Sequence, residues 1–453
     1  MTVIEPETAQ ATATLPIPEK EQEFNWKNCW YPVTFVQDLP KDRPYRFSLY
    51  DQSFVLFRNQ DGKLGCLTDL CPHRAAKLSD GQIIDGKIEC LYHGWQFGVD
   101  GQCLHIPQLP ADAKMPAKAC VQSFAVVERQ GIVWIWSGEP DAADKALIPT
   151  VAELDKPEFA VGGTDFMYDL PYDQTYFIEQ VIDPAHVPIS HDGTLAERED
   201  AQPLEMEAIE SSAQGIRGRY RQTREPNSTW TQLDFVAPNL ITYRFDLGKP
   251  GLSAGFVLYS MPLGNGRCRL LARKYRNFST WTLKLKPRWL EHMLESRNTE
   301  EDLALIVGQQ EYVKKSRQSL QELYLPLKTS DLLVMEYRMW LVWFGSSLPF
   351  YQGYSTSKPL REEQENNQQP APASLDRFKR HTQICSSCNR AYWLTIRLKQ
   401  MLVGMAIALA GFAIVTDGSW IQILGVSASL SAAALAAVAE KVKTKFERSY
   451  TRH

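Results

Sequence analysis

The sequence predicts an α+β protein in three parts. An N-terminal all-β domain comes first, then a larger α+β domain with an antiparallel sheet and helices, then a C-terminal transmembrane helical hairpin. Three observations predict it. Between residues 24 and 140, short apolar runs are separated by Asp61-Gly62, Asp85-Gly86 and Asp100-Gly101, and Asp-Gly between such runs is a hairpin signal. Between 141 and 357, strand-like runs alternate with helical periodicity. From Met401 to Ala439 the chain is almost wholly apolar, interrupted by one short turn.

The bulk properties narrow the classes. At 453 residues the chain exceeds the roughly 100–200 residues of one domain. Hydrophobic residues at 44% and charged residues at 23% match globular averages and exclude wholesale disorder. A net charge of −4 excludes a general nucleic-acid binder, which would be basic. The opening MTVIEPETAQATATLPIPEKEQE is polar and acidic, and the nine cysteines are an odd number. A disulfide-stapled secreted protein is therefore not expected, and reduced cysteines are free for metal or redox work.

Taken in order, residues 1–23 are rich in Ala, Thr, Pro and Glu without periodicity and read as a disordered lead-in. Residues 24–140 form the β domain, closing on the apolar GIVWIW and stopped by Gly138 and Pro140. In 141–357, LITYRF (240–245) and GFVLYS (255–260) read as strands and 286–324 as one long helix. Residues 358–376, KPLREEQENNQQPAPASLD, have a linker's composition. A Cys-x-x-Cys segment follows at 377–400, then the two-helix anchor at 401–439 and a basic tail at 440–453. The first apolar run, Met401 to Thr416, is about 24 Å long as a helix, against roughly 30 Å of hydrocarbon. Residues 377–453 carry 11 Lys/Arg against 3 Asp/Glu, while the turn between the runs holds only Asp417. The positive-inside rule places both flanks, and so the body of the protein, on the cytoplasmic face. The competing reading is a helical pair buried in a soluble domain.

The strongest chemical signal is Cys71-Pro72-His73 followed by Cys90-Leu91-Tyr92-His93-Gly94-Trp95. Two thiolates and two imidazoles on a pair of turns can surround one zinc ion. Alternatively they hold a [2Fe–2S] cluster, the cysteines on one iron and the histidines on the other. The order Cys-His, Cys-His on hairpin loops favours the cluster, because zinc fingers usually pair cysteine with cysteine and histidine with histidine.

These residues also carry a resemblance. CPHRAAKLSDGQIIDGKIECLYHGWQF, with FNWKNCWYPV upstream, resembles the Rieske segment of the non-haem iron oxygenases. It is especially similar to the pheophorbide a oxygenase group, which includes Tic55 and the protochlorophyllide oxygenases. The resemblance implies a Rieske domain joined to a catalytic domain with mononuclear non-haem Fe(II), assembled as a homotrimer. It implies O2, a ferredoxin-type electron donor and an apolar tetrapyrrole substrate, with the catalytic domains on the cytoplasmic or stromal-equivalent face of a thylakoid-type membrane.

The second iron site follows from that resemblance. Residues 179–191, EQVIDPAHVPISH, match the family's D-x2-H-x4-H pattern and supply His186 and His191. On one straight helix the two would point about 140° apart, so Pro188 is expected to break the helix and return His191 to His186. The third ligand is implied to be Asp302 in EEDLALIVGQQE (300–311), with Glu300 and Glu301 as near alternatives. Asp183 matches the acid that links the cluster of one subunit to the iron of the next; its bland reading is a turn residue before Pro184. Cys385 and Cys388, preceded by His381, match the C-terminal Cys-x-x-Cys of the same group. They read as an exposed dithiol under thioredoxin control, with half of a metal site or no role as alternatives. His105 and His292 read as structural. The function expected is a membrane-anchored oxygenase, and the rival is a non-catalytic Rieske electron carrier or redox sensor.

Overall fold

The computed structural model describes residues 24–161, 165–225, 228–249, 251–316, 318–351, 353–355 and 376–450. The lead-in at 1–23 and the linker up to residue 375 lie outside them.

All three Asp-Gly pairs sit in hairpins. Asp85 and Gly86 join strands Gln82–Ile84 and Lys87–Glu89, with φ of 49° and 72°. Two positive φ values define the tight turn whose twist suits a two-residue hairpin. The N-terminal strands form three antiparallel sheets. One holds Trp30–Phe35, Ile132–Trp136 and Val126–Arg129; a second runs from Tyr45–Leu49 to Ser123–Phe124; the third covers 82–105. Ile132–Trp136 is buried on both faces because it is the central strand of the first sheet. Its alternate residues enter two cores: Val133 and Ile135 join Tyr31 and Phe54, whereas Ile132, Trp134 and Trp136 join Tyr259 and Leu271 of the next domain. The two domains therefore share apolar core, and Asn239 Nδ2 donates across the junction to the Trp30 carbonyl at 2.7 Å.

The second domain is built on an antiparallel sheet running Ala160–Val161, Arg267–Arg276, Ser253–Gly264, Leu240–Asp246, Thr231–Val236, Gly215–Gln222 and Leu204–Ser212, with Phe166–Leu170 also on Arg267–Arg276. Helix α1 (Gln174–Val181) leads to the four-residue α2 (Val187–Ser190). The single helix expected over 286–324 is three: α3 (Arg288–Glu301), α4 (Leu303–Lys315) and α5 (Leu320–Leu323). Asp302 interrupts the first pair, and aspartate competes poorly for helix interior because its carboxylate seeks other donors. Past α4, Ser319 and Glu322 form a capping box that starts α5 afresh. Helix α6 (Leu332–Phe344) covers the sheet through Leu333, Tyr337 and Trp340.

The C-terminal pair, α7 (Ser386–Val415) and α8 (Ser419–Glu447), are each long and apolar enough to cross a membrane. Their outer surface is bare: Ile414, Val415 and Trp420 are about four-fifths exposed. Their seam is made of small residues, with Gly425 against Ala413 and Ser429 Oγ donating to the Ala406 carbonyl at 2.8 Å. Two sequence boundaries move. Helix α7 begins inside the Cys-x-x-Cys segment, and α8 continues through most of the expected basic tail. The roots of both helices are packed on the body: Tyr392 and Phe446 join Trp289 and Met293 of α3.

Candidate metal centres

The first centre stands on two matching loops. Ala75 N–H donates to Cys71 O at 3.0 Å and Cys71 N–H to Ala76 O at 2.8 Å. Gly94 N–H donates to Cys90 O at 2.8 Å and Cys90 N–H to Trp95 O at 2.9 Å. The fourth residue after each cysteine has positive φ, 59° at Ala75 and 74° at Gly94, and that left-handed step turns the chain back. Both thiols are buried while the histidines lie nearer the surface, their rings 4.4 Å apart. Burial pushes the Cys71 thiol up to about 11, so a bound cation is what would stabilise its thiolate. His73 Nδ1 is buried without a hydrogen-bond partner, and its ring stacks on Trp95 at 4.7 Å. An inner thiol pair, an outer imidazole pair and an orphaned ring nitrogen fit a Rieske cluster.

The second centre converges more tightly. Among the described residues, three or more donors come within 4.8 Å of one another at His186, His191 and Asp302, and at a second cluster taken up below. Asp302 Oδ2 lies 3.0 Å from His191 Nε2 and 3.9 Å from His186 Nε2. Both imidazoles are held from behind. His186 Nδ1 lies 2.5 Å from the Asp183 carbonyl, and His191 Nδ1 lies 3.0 Å from Glu301 Oε2. Donation from each Nδ1–H leaves Nε2 as the ligand atom, the usual arrangement around a metal. Gln180 Nε2 donates to Asp302 Oδ2 at 2.5 Å. Two imidazoles and one carboxylate on one side of an ion fit the facial triad of non-haem iron.

The route by which His191 returns differs from the expected one. Pro188 is the second residue of α2 rather than the end of a helix, lying in the first turn where a missing N–H costs nothing. The preceding 3-10 turn Pro184–His186 and the shortness of α2 bring the two rings to 5.4 Å. Asp183 caps that turn: its Oδ1 accepts from Ala185 N–H at 2.8 Å, while Oδ2 is 3.7 Å from His186 Nδ1. Burial raises its carboxyl to about 6. The three successive acids are separated by role. Glu300 pairs with Arg377, Glu301 holds His191 and accepts from Thr194 Oγ1, and Asp302 faces both histidines. The sequence run E-E-D did not distinguish them. A cleft of about 380 Å³ opens beside the triad, lined by Asp183, His186, Asp302, Leu305, Gln309 and Met335 among others. Glu301→Gln should weaken iron retention about 10–100-fold, the effect of losing a partner behind a ligand; iron remaining after a chelator series, with the cluster spectrum unchanged, checks this.

Cys385 and Cys388 are not at an exposed edge. Their relative exposure is 0% and 1%, because α3 and the root of α8 cover them. A thioredoxin would have no direct access to either sulfur. His292, expected to be structural, and His381 lie against them.

Residues 29–125 match the Rieske [2Fe-2S] domain family and residues 235–319 the pheophorbide a oxygenase family. Protein TIC 55 of Pisum sativum is 35% identical over 95% of this chain and 83% of its own length. Pheophorbide a oxygenase of Arabidopsis thaliana is 31% identical over 95% of this chain and 85% of its own. Among solved structures, dicamba monooxygenase bound to dicamba shares the fold, with a TM-score of 0.57 and 24% identity over 70% of this chain and 97% of that one. The two donor sets fit the [2Fe–2S] cluster and the mononuclear iron of such proteins. The chain belongs to the Rieske oxygenase family, in the group that holds TIC 55 and pheophorbide a oxygenase.

Proposed function

We propose that the protein is a membrane-anchored oxygenase that uses O2 and ferredoxin-derived electrons to oxygenate a chlorophyll-type tetrapyrrole. The observation that carries this is the complete triad of His186, His191 and Asp302, oriented from behind and opening on a cleft. When bound and reduced, the mononuclear iron supplies O2 activation. The chain supplies the rest. Asp183 through its carbonyl and Glu301 through its carboxylate fix the imidazoles, and Gln180 fixes Asp302. Leu305, Ile306, Val334 and Met335 give the cleft an apolar wall, while Gln309 and Tyr324 at its edge are tied to each other and to Glu179. Asp183 is the carboxylate by which a neighbouring subunit's cluster would be joined to this site in a homotrimer. Two relatives are named for pheophorbide a and chlorophyllide a oxygenation, which supports the substrate class.

The second reading, a Rieske carrier or sensor, is favoured by the 35% identity to TIC 55. It needs no third iron. Metal analysis separates the two, with about three irons per chain for the oxygenase and about two for the carrier. The activity test is anaerobic incubation of the reduced protein with candidate pigments, then O2 and mass spectrometry of the products. An oxygen-bearing pigment product supports the proposal, and unchanged pigments with about two irons per chain would sink it.

The basic flanks and the bare apolar surface of α7 and α8 support anchoring, with the body on the basic side of a thylakoid-type membrane. Cutting the chain before Met401 would also remove the root of α8, whose Phe446 packs on Trp289 and Met293 of the body. Excising the apolar tip and rejoining the two roots should instead give a folded protein soluble without detergent. Sedimentation of both proteins in detergent-free buffer checks this; an intact protein that stays equally soluble contradicts the anchor.

A further inference from the structure

Beside the two iron centres lies a third group of donors from three separate segments. His292 comes from the middle of α3, His381 from the π-helical turn Phe378–Thr382, Cys385 from the residue capping α7 and Cys388 from its first turn. All four are buried, with none more than 1% exposed. Their ligand atoms lie within 4.8 Å of one another. His292 Nδ1 is 3.4 Å from Cys385 Sγ and 3.6 Å from Cys388 Sγ, and His381 Nε2 is 3.2 Å from Cys388 Sγ. A tetrahedral zinc ion with its usual Zn–S and Zn–N lengths sets neighbouring donors about 3.3–3.8 Å apart. The three distances fall at or close to that range. The cysteines are unbridged. His381 Nδ1 lies 2.6 Å from the Met167 carbonyl, so its N–H is taken up there and Nε2 is left as a ligand, as metal-bound histidines usually are held.

We propose that His292, His381, Cys385 and Cys388 form a structural zinc site, distinct from both iron centres, that joins α3 to the root of the anchor. Zinc binding displaces one proton from each thiol. Two thiolates and two neutral imidazoles then cancel the charge of Zn2+. An uncharged, fully buried site avoids the desolvation cost of a lone thiolate. Four protein ligands leave no open position, which marks a structural rather than a catalytic ion. Helix α3 ends at Glu301 and Asp302, so the zinc would brace the same helix that presents the iron ligand.

The test is elemental analysis of the detergent-solubilised full-length protein, purified without added metal. The expected result is about one zinc per chain besides iron. Cys388→Ser and His292→Ala should each lower zinc at least about tenfold while leaving the Rieske electron paramagnetic signal in place. Growth with Co2+ gives a readout on the unmutated chain: thiolate-to-cobalt charge-transfer absorption is expected, and it keeps the proposal testable if the variants do not fold. Wild-type protein without zinc or cobalt absorption, whether Cys385 and Cys388 prove to be free thiols or a disulfide, overturns the assignment. None of these readouts depends on the substrate or on turnover.

Discussion

His186→Ala should abolish oxygenation while sparing the Rieske cluster. The imidazole contributes one of three donors, and its Nε2 faces Asp302 across the space an ion would fill. Its loss leaves His191 and Asp302, too few to hold iron against exchange. Iron should fall by about one per chain, and turnover by more than the roughly 100-fold cost of losing only a partner behind a ligand. The cluster loops lie elsewhere in the chain, so the electron paramagnetic signal should persist at full amplitude. Product formation and iron content on the same preparation provide the check. Retained turnover would remove His186 from the site, and loss of both signals together would mean that the variant had misfolded.

The second large effect is the mirror image. His73→Ala should remove the cluster and leave the mononuclear site filled. One iron of a Rieske centre depends on two imidazoles, and His73 has an unpartnered Nδ1 buried against Trp95. Iron should drop from about three to about one per chain, the Rieske signal should vanish, and turnover with the physiological donor should cease. His93→Ala should behave alike, because the two loops are built on the same hydrogen-bond pattern. Normal signals in both variants would refute the cluster assignment; loss of zinc instead of iron would favour the single-ion alternative.

Much of this was legible in the residues. Asp-Gly pairs fix local backbone, so the three hairpins could be read directly. The Cys-x-His and Cys-x-x-His loops are contiguous in sequence, so their donors could be named. The triad needed family resemblance for Asp302, because Glu300, Glu301 and Asp302 are equivalent in composition and are told apart only by what each faces. The long helix over 286–324 failed where an acidic side chain is drawn out of the helical ladder. The proposed role of His292 was hidden for a different reason. A histidine inside an amphipathic helix has no local sign of being a ligand, and Cys385 and Cys388 follow it by 93 and 96 residues. The same distance misled the reading of Cys385 and Cys388: a basic neighbourhood suggested exposure, but helix α3 packs over them.

The root of α8 seals one side of α3. Glu300 is buried against Arg377, and it also accepts from the backbone N–H of Tyr450 at 2.6 Å; Thr382 Oγ1 donates to the Phe446 carbonyl at 2.7 Å. With Phe446 packed on Trp289 and Met293, these contacts close the side of α3 whose end carries Asp302. Loosening the root of α8 would therefore remove packing from the helix that ends beside Asp302.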